Sequence, residues 1–575
     1  MIDFINPAII MMGGGLVAPL FKGRAQSAWL LSVPLLSLIN LLFLGHGNSG
    51  QIFVFGLELV TTRIDHYSFI WALIFHIAAF LAMLYSLHVR DNMQHCSGLI
   101  YAGSAIGAVL AGDLITLFVY WEITAISSVF LILARRTQRS YRAGMRYLII
   151  QIASGVTLLA GVVFWYRLTG NIAFNEIGID SFAGKLIFLA FGMKCAFPFL
   201  HNWLQDSYPE ATVTGTVVLS AFTTKLAVYT LARGFAGTEQ LIWIGAVMTA
   251  FPIFYAVLEN DLRRVLAYSL NNQLGFMVVG IGIGTELSLN GTAAHAFCHI
   301  IYKALLFMSV GAVLYRTGTS KASMLGGLYK SMPITTICCM IGAAAISAVP
   351  LFSGFISKGM ILAAAAYEHH TVVFIVLLFA SAGVVDHSGI KVPFFAFFAH
   401  DSGIRVPEAP RHMLAAMIAC SVLCVGLALP GVYQHFYKLL PFPKYAATFE
   451  PYTMAHVMTQ LQLLFFAGLA FIVLMRKGWY PAEIPAVNLD ADWLYRRGAP
   501  KLWSGVRVIA RFLHGTMQDW LAVYSVGMTR WAERLHHTRG VLGSSWSTGT
   551  SIMVTVMVLA IALVLYYLDS MGNLF

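Results

Sequence analysis

About 16 stretches of this chain are apolar over a length that suits a membrane span, which takes roughly 20 helical residues. They begin near residues 4, 27, 67, 96, 114, 145, 184, 213, 240, 265, 290, 335, 371, 412, 459 and 549. Hydrophobic residues make up 59% of the 575 and charged residues only 11%. The predicted fold is therefore an all-α polytopic membrane protein with about 16 transmembrane helices. The first stretch is short and interrupted by Pro7, Gly13, Gly14, Gly15 and Pro19. It lacks the cationic flank of a cleaved signal peptide.

The net charge of +11 reads as membrane orientation rather than as nucleic-acid binding. With alternating loops, 26 of the 36 basic residues fall on one side, Lys391, Arg405 and Arg411 among them. Six fall on the other side: Arg63, Arg167, Lys185, Arg233, Lys438 and Lys444. Positive-inside bias places the 26 in the cytoplasm and both termini on the far side of a prokaryotic cell membrane. The seven cysteines form no CxxC pair and read as small buried hydrophobes. Phosphate-loop, hydrolase-triad and metal-cluster spacings are absent from the sequence, so no catalytic centre, cofactor or metal is expected in this chain.

The remaining four basic residues, Lys194, Lys225, Lys303 and Lys358, lie inside apolar segments. A lysine at the bilayer centre costs roughly 2.5–3.5 kcal/mol on insertion scales, which marks it as functional. Burial disfavours the ammonium form, so a lysine placed there can load and release a proton. Glu122 sits mid-segment in LITLFVYWEITAISSVFLIL, with no basic residue on that helix before Arg135. Its partner must come from another helix, and Lys194 is the natural candidate. Pro198 follows Lys194 by four residues, which removes the hydrogen bond to the Lys194 carbonyl and predicts a broken helix. Pro350, Ser353 and Gly354 interrupt a second long run just before Lys358. Discontinuous helices line ion sites in transporters, and two of them suggest two inverted repeats.

His295, His299 and Lys303 are spaced i, i+4, i+8 on one helix face. They read as a proton relay, since imidazole can pass a proton between its nitrogens. Structural histidines bonded to hydroxyls are the alternative. A metal site is the third reading, with no further ligand evident. Lys225 is placed on a continuous helix between the Glu122–Lys194 region and these histidines. His76, alone on an apolar helix, reads as structural.

DLITLFVYWE, KCAFPFLHNWLQDSYPEA, ENDLRRVLAYS, HAFCHIIYKALLF and AVPLFSGFISK occur in that order. Together they resemble the antiporter-like proton-conducting membrane subunits shared by respiratory complex I and the multisubunit Na⁺/H⁺ antiporters, over roughly residues 65–435. KVPFFAFFAHDSGIRVPEAP looks more like the D-type antiporter subunits. The resemblance implies a midplane path joining two half-channels. Glu122 is similar to the family's glutamate, Lys194 to its broken-helix lysine and Lys225 to its bridging lysine. His295, His299 and Lys303 resemble the central relay, and Lys358 the terminal lysine. LAYSLNNQLGF departs from the pattern, because Asn271, Asn272 and Gln273 cannot titrate.

The expected organisation follows the spans. N-terminal helices occupy 1–95, a first half-channel repeat 96–235 and a second 236–400. C-terminal helices occupy 401–476, a cytoplasmic-side linker 477–547 and a final span 548–575. Within the linker, residues 501–537 pattern as an amphipathic helix with Trp503, Phe512, Trp520 and Trp531 on an interfacial face. It reads either as a lateral brace against a neighbouring subunit or as a helix lying on its own subunit. The expected function is proton translocation, alone or in exchange for Na⁺, within a multisubunit complex. One alternative is a proton-pumping subunit of a redox complex, such as a NADH dehydrogenase-like translocase or a hydrogenase. Another is the membrane partner of an inorganic-carbon uptake system. The expected partners are other membrane subunits and lipid, and not nucleic acid.

Overall fold

A computed structural model of the chain describes residues 5–484, 488 and 490–572. They divide into two compact units, one ending at Asp490 and one beginning at Ala491. The first unit opens with α1 (Pro7–Val17) and α2 (Gly23–Phe43), then strands β1 (Gly47–Val54) and β2 (Leu57–Ile64). Helices α3 (His66–Tyr85), α4 (Asn92–Leu110), α5 (Leu114–Leu133) and α6 (Gln138–Thr169) follow. Next come α7 (Phe182–Cys195), α8 (Asn202–Ser207), α9 (Val213–Ala221), α10 (Thr223–Gly234) and α11 (Glu239–Leu258). The unit continues through α12 (Leu262–Ile283), α13 (Glu286–Thr317), α14 (Pro333–Ile346) and α15 (Ser353–Tyr367). It closes with α16 (Thr371–Phe398), α17 (Arg411–Gly426) and α18 (Met454–Lys477). The second unit holds α19 (Ala499–His536) and α20 (Thr548–Gly572).

Ten helical stretches among the described residues, α9 and α10 taken together as one, are long and apolar enough to cross a membrane. The other apolar stretches are helical as well, but each differs for a visible reason. Helix α1 has only 11 residues. Helices α4 and α12 carry polar groups such as Gln94, His95, Arg263, Arg264, Asn271 and Gln273. Helix α7 stops at Cys195, and the run from residue 335 is divided into α14 and α15.

The β1–β2 hairpin corrects the all-α expectation. Its strands are rich in β-branched and aromatic residues (Ile52, Phe53, Val54, Val60, Thr61, Thr62). Phe55 and Gly56 both take positive φ, at 50° and 80°, the backbone twist that a two-residue hairpin turn demands. Lys391 is a second correction. It is not a loop residue but lies fully buried within α16. The first unit also runs beyond α18 to Asp490, because Glu483 pairs with Lys391 and Asp490 with His201.

Two lengths of chain repeat the same local geometry. Asp113 and Asp261 are the N-caps of α5 and α12. Asp113 forms an isolated antiparallel bridge with Ala173, and Asp261 forms one with Lys321. Helices α6 and α13 each run 32 residues and end at a left-handed glycine, Gly170 or Gly318. A helix break then follows in each half. Ala196 and Phe199 flank Pro198 with φ of 63° and 66°, and Ala348 and Leu351 flank Pro350 with 57° and 70°. The bonds match one for one. Phe197 N–H donates to Gly192 O and Val349 N–H to Ala344 O, both at 3.1 Å. Each left-handed non-glycine residue costs roughly 1–2 kcal/mol, so surrounding packing must hold these turns in place.

Candidate functional site

Pro198 and Pro350 each withhold the N–H that would bond a carbonyl four residues earlier. In the second break that carbonyl belongs to Ile346, and Lys358 Nζ donates to it at 3.2 Å. The same ammonium lies 5.0 Å from the Phe276 ring centroid, a cation–π contact. In the first break the released carbonyl is that of Lys194 itself. Lys194 Nζ turns to α5, donating to the Trp121 carbonyl at 2.7 Å and lying 4.2 Å from the Trp121 ring.

Glu122 is the next residue on α5, and its charge interacts with that of Lys194. The two are neighbours without being an ion pair among the described residues. The Trp121 carbonyl and ring capture the ammonium instead. Glu122 Oε1 is buried and has no hydrogen-bond partner among the described residues. The carboxylate rests against Gly155 of α6, where an added Cβ would collide with Oε1. Gly155→Ala is therefore expected to swing Glu122 aside with little loss of stability, since the far end of a flexible side chain can move. Transport should fall while assembly, followed by gel filtration, stays intact.

Lys225 does not lie on a continuous helix. The ladder breaks at Phe222 because the Tyr101 hydroxyl, at 2.9 Å, takes the Thr223 N–H. Lys225 Nζ donates to the Ser220 carbonyl at 2.6 Å. It lies within electrostatic range of Cys195 on one side and of His295, His299 and Lys303 on the other.

On α13 the three predicted groups differ in surroundings. His295 is fully bonded: Nδ1 lies 3.1 Å from Ser357 Oγ, and Nε2 lies 3.1 Å from Gln273 Oε1. The Tyr302 hydroxyl donates to the same Gln273 oxygen at 3.2 Å. Among the described residues His299 has no partner at either ring nitrogen, and Lys303 Nζ has none, although both residues are completely buried. Buried polar groups are normally bonded, so these three atoms stand apart from the rest of the interior. Among the described residues no group of three or more His, Cys, Asp or Glu could hold a metal ion. His76 is bonded at both nitrogens, to Ser37 Oγ at 2.8 Å and the Ala72 carbonyl at 2.7 Å.

Several polar groups were not legible as site residues. Gln273 bonds His295 directly. Gln151 on α6 is buried with both amide atoms unpartnered. Counted back from Gly170 and Gly318, Gln151 stands where α13 has His299, and Gly155 where it has Lys303. His387 and Lys391 are buried on α16, four residues apart inside an apolar run. That spacing was the available signal, but a span of about 20 residues from 371 ends just before Lys391 and leaves it among the loop residues.

Residues 111–384 match the family described as NADH:quinone oxidoreductase/Mrp antiporter, TM. Hydrogenase-4 component B of Escherichia coli K12 is 27% identical over 418 residues, covering 64% of this chain and 62% of that protein. The D-type Na⁺/H⁺ antiporter subunit of Alkalihalophilus pseudofirmus is 31% identical over 314 residues, covering 51% and 63%. The chain thus spans a little under two thirds of the length of these relatives. The fold is shared with a chain of the Mrp complex from Dietzia sp. DQ12-45-1b (TM-score 0.67, 20% identity, 79% of this chain and 98% of that one). It is also shared with a chain of the membrane-bound sulfane sulfur reductase, an archaeal respiratory membrane complex (0.66, 23%, 79% and 98%). Over residues 111–384, the chain is similar to the NADH:quinone oxidoreductase/Mrp antiporter family of membrane subunits.

Proposed function

We propose that this chain is an ion-translocating subunit of a multisubunit membrane complex, moving protons along Glu122, Lys194, Lys225, His295, His299, Lys303 and Lys358. One observation carries the reading: Lys194, Lys225, His295, His299, Lys303 and Lys358 are all buried, Lys194 and Lys358 lie beside two matching helix breaks, and Lys225 is within electrostatic range of the histidines and Lys303 between them. A chain that needed only stability would fill those positions with apolar side chains.

In this reading 96–235 and 236–400 are inverted half-channel repeats. The Asp113 end of α5 lies beside the hairpin, while the Asp261 end of α12 lies among Arg263, Arg264 and Lys321. The shorter and interrupted helices complete about 16 crossings. The arginine-rich face is cytoplasmic, and both termini lie opposite. Glu122 and Lys194 form the switch. When they pair, Lys194 holds its proton; when they part, the proton passes by Lys225 to His299 and Lys303. It leaves near Lys358 into a cavity of about 460 Å³ whose lining includes Glu450, His456 and Gln460. Gln460 donates to the Ser347 carbonyl at the second break at 3.0 Å. Helix α19 is about 57 Å long at roughly 1.5 Å per residue, enough to brace a neighbouring subunit.

The likeness to the D-type Na⁺/H⁺ antiporter subunit supports exchange of protons for Na⁺. A second reading, proton pumping in a redox complex, is favoured by the likeness to hydrogenase-4 component B. Purification of the intact complex and its reconstitution into vesicles tests both. A pH-sensitive dye should report proton movement driven by an imposed Na⁺ gradient in the first case, or by an electron donor in the second. Proton silence under both conditions overturns the proposal.

A further inference from the structure

The arginine-rich face carries a second line of buried polar groups that reaches the histidine centre without passing Lys194. Lys391 Nζ lies 2.8 Å from Glu483 Oε1, an ion pair whose side chains are 0% and 6% exposed. The ammonium also donates to the carbonyls of Val257 at 2.6 Å and Glu259 at 2.8 Å, at the end of α11 and just beyond it. Glu259 in turn pairs with Arg264 at 3.8 Å, which fixes this cluster to the arginine-rich face.

One helical step deeper, His387 is completely buried with Nε2 unpartnered. It lies within electrostatic range of Lys391 on one side and of Lys303 and Lys358 on the other. Its Nδ1 is 2.8 Å from Ser388 Oγ, which donates to Ser269 Oγ at 2.7 Å. Ser269 and Gln273 share one face of α12, four residues apart, and Gln273 bonds His295. The backbone of α16 is locally widened to π-helical turns at Val385–Ile390 and Phe394–Phe398, on both sides of Lys391. Such turns are uncommon and concentrate at functional sites. Simple capping of α11 would explain Lys391, but it leaves the unpartnered His387 and the serine pair unaccounted for.

We propose that Glu483, Lys391, His387, Ser388 and Ser269 form a second proton entrance, from the arginine-rich face into the second half of the path. The proposal rests on the translocation reading above. A proton taken up by Glu483 replaces the one that Lys391 passes, through a bridging water, to His387 Nε2. The resulting imidazolium releases its Nδ1 proton to the Ser388 oxygen, which hands its own hydroxyl proton to Ser269, and Ser269 gives up its hydroxyl proton to a water on the Gln273–His295 side of the path. Each group gives up one proton as it gains one, so no charge accumulates. Asp386, Tyr480 and Glu259 are the other ionisable groups around this line.

The test uses the intact complex in vesicles, with Glu483→Gln, Glu483→Asp, His387→Gln and Lys303→Met compared at equal assembly. Glu483→Gln keeps a hydrogen-bond partner for Lys391 but cannot carry the proton. A roughly ten-fold or larger loss in initial rate is expected for it and for His387→Gln. Glu483→Asp should restore most of the rate, which a packing role alone would not require. Wild-type rates in both Glu483→Gln and His387→Gln overturn the second entrance, as does an equal loss in Glu483→Asp and Glu483→Gln. A wild-type rate in Lys303→Met as well would instead overturn the underlying path.

Discussion

Lys303→Met is expected to abolish ion transport and at the same time to raise the thermal stability of the complex. Lys303 Nζ is completely buried and has no hydrogen-bond partner among the described residues, and the charges nearest it include another cation, Lys225. A buried charge without compensation is strongly unfavourable, and replacing buried ionic groups with apolar ones of similar size has stabilised proteins by about 1–4 kcal/mol. Methionine is unbranched and close in length, so it should fill the space without a cavity. A melting curve followed by tryptophan fluorescence should move upward, while proton movement in vesicles drops to background. Opposite signs in the two measurements are the signature of a residue kept for transport at the expense of stability. A lower melting point would mean that Lys303 is structural and that its partner is a group of this chain.

The repeat geometry explains why this position bears the charge. In the first half Gly155 holds the place of Lys303, and the carboxylate of Glu122 occupies the room that glycine leaves. Gln151 likewise holds the place of His299, and both residues are left with unpartnered polar atoms. The space beside the Gly155 position is thus filled by a carboxylate from α5, whereas the matching position on α13 carries its own ammonium.

How much of this was legible in the sequence depended on whether a residue's own chemistry revealed it. The four lysines and Glu122 stood out because charge in an apolar run has few readings. Both helix breaks were legible from Pro198 and Pro350, since a missing N–H acts locally. The interruption beside Lys225 was not, because its cause is the hydroxyl of Tyr101, distant in sequence and brought to Thr223 only by packing. Gln273 was set aside as unable to titrate, yet it anchors His295 by accepting a hydrogen bond. Lys391 was hidden because it lies 20 residues past the start of its span, while the helix runs on to Phe398 through π-helical turns. The hairpin was missed because its apolar residues blended with the spans on either side.

Glu122→Gln and Lys194→Met are each expected to reduce transport by roughly a thousand-fold, and Trp121→Leu by far less. Two unit charges 4 Å apart interact by about 4 kcal/mol at an effective dielectric of 20, which is three decades in an equilibrium constant. That is the range over which closing or opening the Glu122–Lys194 pair can change proton occupancy on Lys194. In the structure the ammonium is held by the Trp121 carbonyl and ring, one residue short of the carboxylate. The pair is thus poised for a small side-chain movement rather than locked. Trp121→Leu leaves the backbone carbonyl in place and removes the ring, with its cation–π contribution of about 0.5–2 kcal/mol and its Nε1 hydrogen bond to Ser154 Oγ. Transport should therefore survive at a reduced rate, because the switch keeps both of its charges. The order of the three rates decides between a switch and a scaffold. If Trp121→Leu were as damaging as Lys194→Met, packing of the aromatic ring would be the essential feature, and the electrostatic mechanism would be wrong.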